Sequence, residues 1–191
     1  MPPVTLALLA ANVVLFLLQS TGGFPLVERL ALWPGPQFEP WQLVTYSFLH
    51  GGLPHLFFNM LGLYMFGPEI ERLFGSRFYL AYYFAAVLAA ALLHLVILAG
   101  LGGPAGPMVG ASGGLYGLLL AYGWYFPHRR VMLLIPPIPM SARTLVIVFA
   151  VVELFLGVTQ THAGVAHFAH LGGMAGGWLM IELRRRRVLR F

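Results

Sequence analysis

Six long apolar runs, separated by short polar or glycine- and proline-rich breaks, constrain this chain of 191 residues more than any other feature. A helix needs about 20 mostly apolar residues to cross the hydrocarbon core of a bilayer. Hydrophobic residues make up 59% of the chain and charged residues 9%, against about 25% charged in an ordinary soluble domain. We therefore predict an all-α polytopic membrane protein, one domain over residues 1–191, with spans near 4–20, 55–71, 78–98, 111–126, 144–160 and 167–183.

The breaks between the runs contain residues that end helices. The end of the second span is predicted by three breaks: Gly67-Pro68, Glu71-Arg72 and Gly75-Ser-Arg77. Pro127-His-Arg-Arg130 predicts the end of the fourth span. Proline lacks the backbone N–H and its ring collides with the preceding turn. The prolines of residues 135–139 therefore predict a segment without helix before the fifth span.

The arginines predict the orientation. Six spans leave both termini on one side, and that side holds ten arginines, whereas the other side holds only Arg29. An excess of basic residues marks the cytoplasmic side, so we expect both termini, and the basic tail 184–191, in the cytoplasm. The aromatic loop one, residues 21–54, is expected to lie at the outer interface, because tryptophan and tyrosine favour the headgroup region.

Three residue types are missing, and their absence excludes several chemistries. The chain has no Cys, Asp or Lys. It therefore has no thiol nucleophile or thiolate metal site, no Ser-His-Asp triad and no Ser-Lys dyad. The pI near 10.0 does not indicate nucleic acid, because the arginines cluster at loops and a tail rather than on a soluble basic face. We expect no cofactor.

Four polar side chains are predicted to share one depth in the membrane. His55 and Asn59 begin the second span, Ser112 begins the fourth and His170 the sixth, all in the outer half. Polar groups inside a bilayer are costly, so each is a candidate functional residue.

Ser112 follows an irregular apolar segment, residues 100–110, and opens a span too short to cross the whole bilayer. Irregular backbone at membrane depth is tolerated only where protein buries it or where it lines a wet cavity. Ser112 would then lie at a helix N-terminus, where free N–H groups favour an anion. A serine that merely helps helices to pack is the simpler alternative.

Glycines four residues apart predict close packing of the fourth and sixth spans. Gly113 and Gly117 share one face of the fourth span, and Gly173 and Gly177 share one face of the sixth. Small residues at this spacing let two helix backbones approach. His170 lies on the same face as the two glycines of its span and is the better candidate base, with His167 as the alternative.

His55 and Asn59 lie one turn apart on one helix face. They could hold the second and fourth spans together by a hydrogen bond, or donate hydrogen bonds to a developing oxyanion. The spacing does not separate these alternatives.

Taken together, three motifs resemble the rhomboid intramembrane serine proteases: His55-x-x-x-Asn59, Gly110-Ala-Ser112-Gly113 and Ala169-His170-x-x-Gly173-x-x-x-Gly177. They occur in order in spans two, four and six, and the resemblance runs from about Trp41 to Gly177. It implies a six-helix rhomboid bundle.

The resemblance also implies roles for single residues. Ser112 would be the nucleophile and His170 the general base, a dyad without a carboxylate. His55, Asn59 and the Ser112 backbone N–H would form the oxyanion hole, and Tyr116 would stack on His170. Trp41-Gln42 departs from the Trp-Arg often found in the family. This difference is expected to change a contact within loop one but not the catalytic chemistry.

Further residues are implied to be structural. They are Glu71, Gly75 and the loop-one histidine His50. The implied substrates are single-span membrane proteins, cut near the outer end of the span after a small residue and admitted beside span five. We expect a prokaryotic plasma membrane protein whose active site opens to the extracytoplasmic side.

Two non-catalytic functions remain as alternatives. A pseudoprotease would bind transmembrane segments without cutting them. A metal or proton path could be lined by the histidines His50, His55, His162, His167 and His170, since imidazole is a common metal ligand. The path is disfavoured because no outer carboxylate outside loop one is expected to accompany these histidines.

Overall fold

A computed structural model describes residues 1–22, 25–101, 106–132, 137–159, 167–186 and 188. Several predicted features lie outside these residues: His162, Arg187, Arg190, residues 102–105 of the segment before Ser112, and Ile135-Pro136. Within the described ranges the long helices are α1 Pro3–Ser20, α4 Leu53–Phe74, α5 Ser76–Leu101, α6 Ser112–Tyr125, α7 Ala142–Thr159 and α8 His167–Arg185. Loop one contains the short helices α2 Leu26–Leu30 and α3 Gln42–Thr45, and two 3-10 turns, Gly35–Gln37 and Tyr46–Phe48.

Each predicted span overlaps one long helix, so the predicted helical fold is present. Three of these helices are long and apolar enough to cross a membrane: residues 3–20, 76–100 and 142–159. These helices carry apolar side chains that the rest of the protein does not cover: Leu17 of α1 is 59% exposed and Val158 of α7 is 68% exposed. Such faces are expected of helices that border a bilayer.

Of the three breaks predicted to end the second span, Gly67-Pro68 does not interrupt helix α4, whereas Gly75 does end it. Helix α4 continues through Pro68 to Phe74 and ends at Gly75, which has φ +77°. A proline inside a membrane helix is tolerated where neighbouring groups compensate for the lost hydrogen bond. Next to Pro68, Gly67 allows α1 and α5 to approach α4 closely, since a Cβ at this position would lie 2.8 Å from Thr5 Cγ2 and 2.9 Å from the Tyr79 hydroxyl.

The fold is also not purely helical. The strands β1 Arg130–Met132 and β2 Pro139–Ser141 pair antiparallel between α6 and α7. Of the segment predicted to be without helix, the described residues 137–139 are not helical. Pro139 begins β2, where the backbone groups of the two strands pair with each other.

One end of the bundle collects charged side chains. The Glu71 carboxylate accepts hydrogen bonds from the Thr5 N–H at 2.7 Å, the Val4 N–H at 3.0 Å and the Ser76 hydroxyl at 2.7 Å. It thereby caps the free N–H groups of α1, where a negative charge is favourable.

Basic residues lie at the same end. Arg129 pairs with Glu69 of α4, and the guanidinium of Arg184 lies 4.4 Å from the centre of the Phe78 ring. Arg129 and Arg184, which the sequence assigns to one side of the membrane, therefore both lie against the C-terminal end of α4.

The opposite end is built by loop one and the segment before α6. The backbones of Leu32 and Met108 exchange hydrogen bonds of 3.0 and 2.9 Å. The Tyr46 carbonyl accepts from the Gly110 N–H at 3.0 Å, and its hydroxyl donates to the Val87 carbonyl at 2.8 Å. The irregular backbone at residues 106–110 is thus held by protein, as such backbone requires at membrane depth.

Gln42, at which the sequence departs from the pattern of the family that it resembles, organises loop one. Its side-chain oxygen accepts from the backbone N–H groups of Trp33 and Glu39, each at 3.2 Å. Its amide donates to the carbonyl of Gln37 at 3.2 Å. Gln42 is 1% exposed, so its uncharged amide satisfies backbone groups that are buried with it.

Helix α6 lies at the centre of the bundle and contacts α4, α5, α7 and α8. It has 14 residues, which gives a length of about 21 Å at 1.5 Å per residue. It is the shortest of the long helices described, and its first residue is Ser112.

Candidate active site

Ser112 lies at the N-terminus of α6, two residues after a glycine with a positive φ. Gly110 adopts φ +129°, which L side chains rarely adopt. This turn starts the helix at Ser112, so the first backbone N–H groups of α6 have no partner one turn earlier in the helix. They form an array of donors beside the Ser112 side chain, with the positive end of the helix dipole.

His170 of α8 reaches Ser112. Its Nε2 lies 2.8 Å from the serine Oγ, within hydrogen-bond distance. Both side chains are only partly buried, so the pair can be reached from outside the core. This geometry is that of a nucleophile and an adjacent base.

The predicted glycine seam brings the two helices together. A Cβ at Gly173 would overlap the carbonyl oxygen of Gly113, and one at Gly177 would lie 3.2 Å from the Cα of Gly117. The packing of α6 against α8 predicted from the glycine spacing is therefore present. It sets the distance between the serine and the histidine that these helices carry.

Tyr116 stacks on the imidazole of His170. The ring centres are 4.2 Å apart and the planes differ by 4°. Tyr116 lies one turn after Ser112 on α6, so one helix supplies both the candidate nucleophile and the surface that orients the candidate base.

His55 faces Gly110 from α4. A Cβ at Gly110 would lie 2.8 Å from both Cε1 and Nε2 of His55. The Nδ1 of His55 accepts a hydrogen bond from the Gly51 N–H at 3.3 Å, which leaves Nε2 as the protonated nitrogen of the neutral ring. His55 thus presents an N–H donor near the start of α6.

Asn59 is buried one turn below His55. Its Nδ2 donates to the His55 carbonyl at 2.9 Å, within α4. One predicted alternative was that Asn59 holds the second and fourth spans together by a hydrogen bond. The bond observed stays within α4 and does not reach α6. The amide has a second N–H proton, which this bond does not use.

The structure adds one residue that the sequence interpretation did not select. Glu153 of α7 lies between the two histidines of α8, with Oε2 2.6 Å from His167 Nδ1 and Oε1 2.9 Å from His170 Nδ1. It also accepts a hydrogen bond from the Tyr116 hydroxyl. The expectation that no outer carboxylate accompanies these histidines is wrong.

The three side chains could also hold a metal ion. One ligand atom from each of Glu153, His167 and His170 lies within 4.8 Å of the others. Two histidines and a carboxylate suit zinc, among other metals.

One feature of the sequence indicates that Glu153 is functional: it is a single acid inside an apolar run, and ionisable residues inside a membrane are usually functional.

Comparison with known proteins gives a consistent result. Residues 37–187 match the family model described as the rhomboid domain. The chain is 30% identical to the Bacillus subtilis rhomboid protease GluP over 93% of its own length and 34% of the relative's. It is 35% identical to the Arabidopsis thaliana RHOMBOID-like protein 4 over 74% of its length and 33% of the relative's.

A third relative is the rhomboid protease GlpG of Klebsiella pneumoniae, 27% identical over 93% of this chain and 62% of the relative. The chain thus spans about a third of the first two relatives and less than two thirds of the third. The family match covers most of the chain and includes every candidate site residue described above. The chain belongs to the rhomboid family.

Proposed function

We propose that this chain is an intramembrane serine endopeptidase that cuts substrate transmembrane helices in or near their outer part. The observation that carries the proposal is the 2.8 Å contact between Ser112 Oγ and His170 Nε2 at a helix N-terminus. The relatives named above as rhomboid proteases support the same reaction class. The chain is helical with several apolar spans, as expected of a multi-pass membrane enzyme.

The proposed reaction begins with attack of Ser112 on a peptide carbonyl. His170 takes the serine proton and later gives it to the leaving amine, and water then hydrolyses the acyl-enzyme by the same route. The backbone N–H of Ser112, the His55 ring N–H and the second Asn59 N–H are the proposed oxyanion donors. Gly110, Gly113, Gly173 and Gly177 support this geometry by allowing close approach.

We propose six spans with both termini in the cytoplasm of a prokaryotic plasma membrane. The grouping of Arg129 and Arg184 at one end of the bundle supports this orientation. Ser112 begins a helix of about 21 Å, shorter than the hydrocarbon core of about 30 Å. If the other end of that helix lies at the cytoplasmic interface, Ser112 lies several Å below the outer surface.

The test is cleavage by the purified full chain in detergent of a panel of single-span substrates. We expect cleavage by the wild type and none by Ser112→Ala or His170→Ala, with both variants folded. A fluorophosphonate should label Ser112 in the wild type. A folded protein that binds substrates but neither cuts nor labels would be a pseudoprotease, and activity in His170→Ala but not His167→Ala would reassign the base.

The position of the cut tests the proposed depth. A helical substrate protects its carbonyls by its own hydrogen bonds, so Gly, Pro or other small residues near the outer end should favour cleavage. We expect mass spectrometry to place the cut there, with the substrate entering beside α7. A cut near the cytoplasmic end, or unchanged cleavage after those residues become leucine, would contradict this account.

A further inference from the structure

Glu153 is a carboxylate in the middle of an otherwise apolar helix. Glu153 is 7% exposed, whereas Val151 and Phe155 on the same helix are 60% and 63% exposed. A charge in such a place is costly unless it is paired and hydrogen-bonded. Its partners therefore indicate why the position carries an acid.

Those partners all belong to the candidate active site. One carboxylate oxygen contacts the Tyr116 hydroxyl and lies 2.9 Å from His170 Nδ1, and the other lies 2.6 Å from His167 Nδ1. Tyr116 in turn stacks on His170. Polar side chains from α6 and α8 thus surround a single carboxylate on α7.

Each ring nitrogen of His170 has a polar neighbour, although the buried Nδ1 is not aligned for a hydrogen bond. Its Nε2 is 2.8 Å from Ser112 Oγ and its Nδ1 is 2.9 Å from Glu153 Oε1. A nucleophile, a base and a third group that orients the base occur in this order in serine hydrolases with a triad.

We propose that Glu153 is a positioning residue that converts the pair into a Ser112–His170–Glu153 relay. The proposal rests on the proposed function and goes beyond the dyad without a carboxylate that the family resemblance implied.

Glu153 acts through the charge of His170. As the Ser112 Oγ–carbon bond forms, the serine proton moves to His170 Nε2 and the carbonyl π electrons move to the oxygen. The imidazolium then carries protons on both nitrogens, and Nδ1–H faces the ionised carboxylate. When the tetrahedral intermediate collapses, the Nε2 proton goes to the amine nitrogen as the carbon–nitrogen bond breaks, and Glu153 stays ionised throughout.

Among the ionisable groups around His170, Glu153 is the one that can carry a negative charge opposite a protonated imidazole. The ionisable groups that face it among the described residues are His55 on α4, Tyr116 on α6, Glu153 on α7 and His167 on its own helix. Helix α5 presents alanines and Leu93 to this part of α8. At neutral pH the carboxylate is the one anion in this set.

The relay is favoured over a metal centre at the same residues. A metal held by these three side chains would need free lone pairs on the two histidines and the carboxylate. Glu153 already accepts from Tyr116 and faces ring nitrogens of both histidines, and His170 Nε2 faces Ser112. A metal is therefore an outcome that the experiment must be able to reveal.

The experiment compares Glu153→Gln and Glu153→Asp with the wild type, using the full chain in detergent. The measurements are kcat and KM on a single-span substrate, the rate of Ser112 labelling by a fluorophosphonate across pH, and the melting temperature. Glu182→Gln is the matched control, because Glu182 lies at the far end of α8 beside Arg185 and Arg186.

We expect Glu153→Gln to lower kcat by about 10²–10⁴-fold with KM within about twofold, as loss of an orienting carboxylate does in a triad. The acid limb of the labelling profile should move to lower pH. Glu153→Asp should retain more activity than Glu153→Gln, and Glu182→Gln should match the wild type.

Several results would overturn the relay. Unchanged kcat in Glu153→Gln would do so. So would folded Glu153→Asp and Glu153→Gln variants that keep the wild-type shape of the pH profile and lose activity only through a higher KM or a lower melting temperature. That result would show that Glu153 has a structural role only. Loss of wild-type activity with a chelator and recovery with zinc would assign a metal. A wild type that neither cuts nor labels refutes the proposed function itself, and the relay with it.

Discussion

The backbones of Gly113 and Gly173 are in direct contact, so that a Cβ on Gly173 would overlap the Gly113 carbonyl oxygen. Gly113 follows Ser112 directly, and Gly173 lies three residues after His170. The approach of the two backbones therefore fixes the distance between the serine and the histidine. Any side chain at Gly173 must push α8 away from α6, because the atom it meets is backbone and cannot rotate aside.

Gly173→Ala is accordingly predicted to lower the cleavage rate at least about 10²-fold, since a misplacement of about 1 Å costs that much. The melting temperature should fall as well. The matched control is Gly100→Ala in α5, where a Cβ would meet nothing within 4 Å. Full activity in Gly173→Ala would show that the seam does not set the geometry of the pair.

Gly110→Ala is predicted to abolish fluorophosphonate labelling of Ser112. The residue has φ +129°, and an added Cβ would lie 2.8 Å from His55 Nε2. The substitution thus strains the turn into α6 and displaces a proposed oxyanion donor. Gly106→Ala in the same segment has open space and should label at the wild-type rate. Normal labelling of Gly110→Ala would remove His55 from the proposed site.

Asn59→Ala is predicted to lower kcat by about 10²–10³-fold with little change in KM, as expected for one oxyanion donor. Asn12 offers a close control, because its buried amide makes the same kind of bond within α1, to the Leu8 carbonyl at 2.8 Å. Asn12→Ala should lower the melting temperature without lowering kcat. If both variants lose only stability, Asn59 is a packing residue.

His50 is predicted to make the fold less stable in mild acid. Burial, and then the nearby His55, lower the pKa of His50 to about 4 from 6.5, and its side chain is 0% exposed. The unfolded chain therefore binds a proton between about pH 6.5 and 4 that the folded chain does not. Stability should fall as pH drops through this window, by on the order of 3 kcal/mol at most.

The measurement is the melting temperature of the full chain in detergent between pH 7 and 4, for the wild type and His50→Gln. The variant starts lower, because a buried ring is lost, but its curve should be flatter across the window. Parallel curves would show that other groups cause the acid sensitivity.

Most of the helical frame followed from the sequence. Apolar runs of 16 to 21 residues and arginine-rich breaks indicate membrane helices because the bilayer excludes charge and unpaired backbone. The pairing of α6 with α8 was also predictable, since glycines four residues apart leave a stripe with no side chains. The continuation of α4 through Pro68 was not predictable, because the packing beside it involves residues distant along the chain, such as Thr5 and Tyr79 against Gly67. The pairing of β1 with β2 was not predictable either, because strands of three residues are too short to show a periodic pattern.

By itself the sequence determined which residues could be the nucleophile and its base: Ser112, with His170 or His167. The tertiary structure decided which histidine lies at the serine, because that depends on the rotation of α8 against α6, and residues three apart differ by most of a helical turn in height and by about 60° in direction. It also decided the position of Glu153. A single acid in an apolar run has no spacing that names its partner, so only the packing of α7 against α8 could bring it to His170.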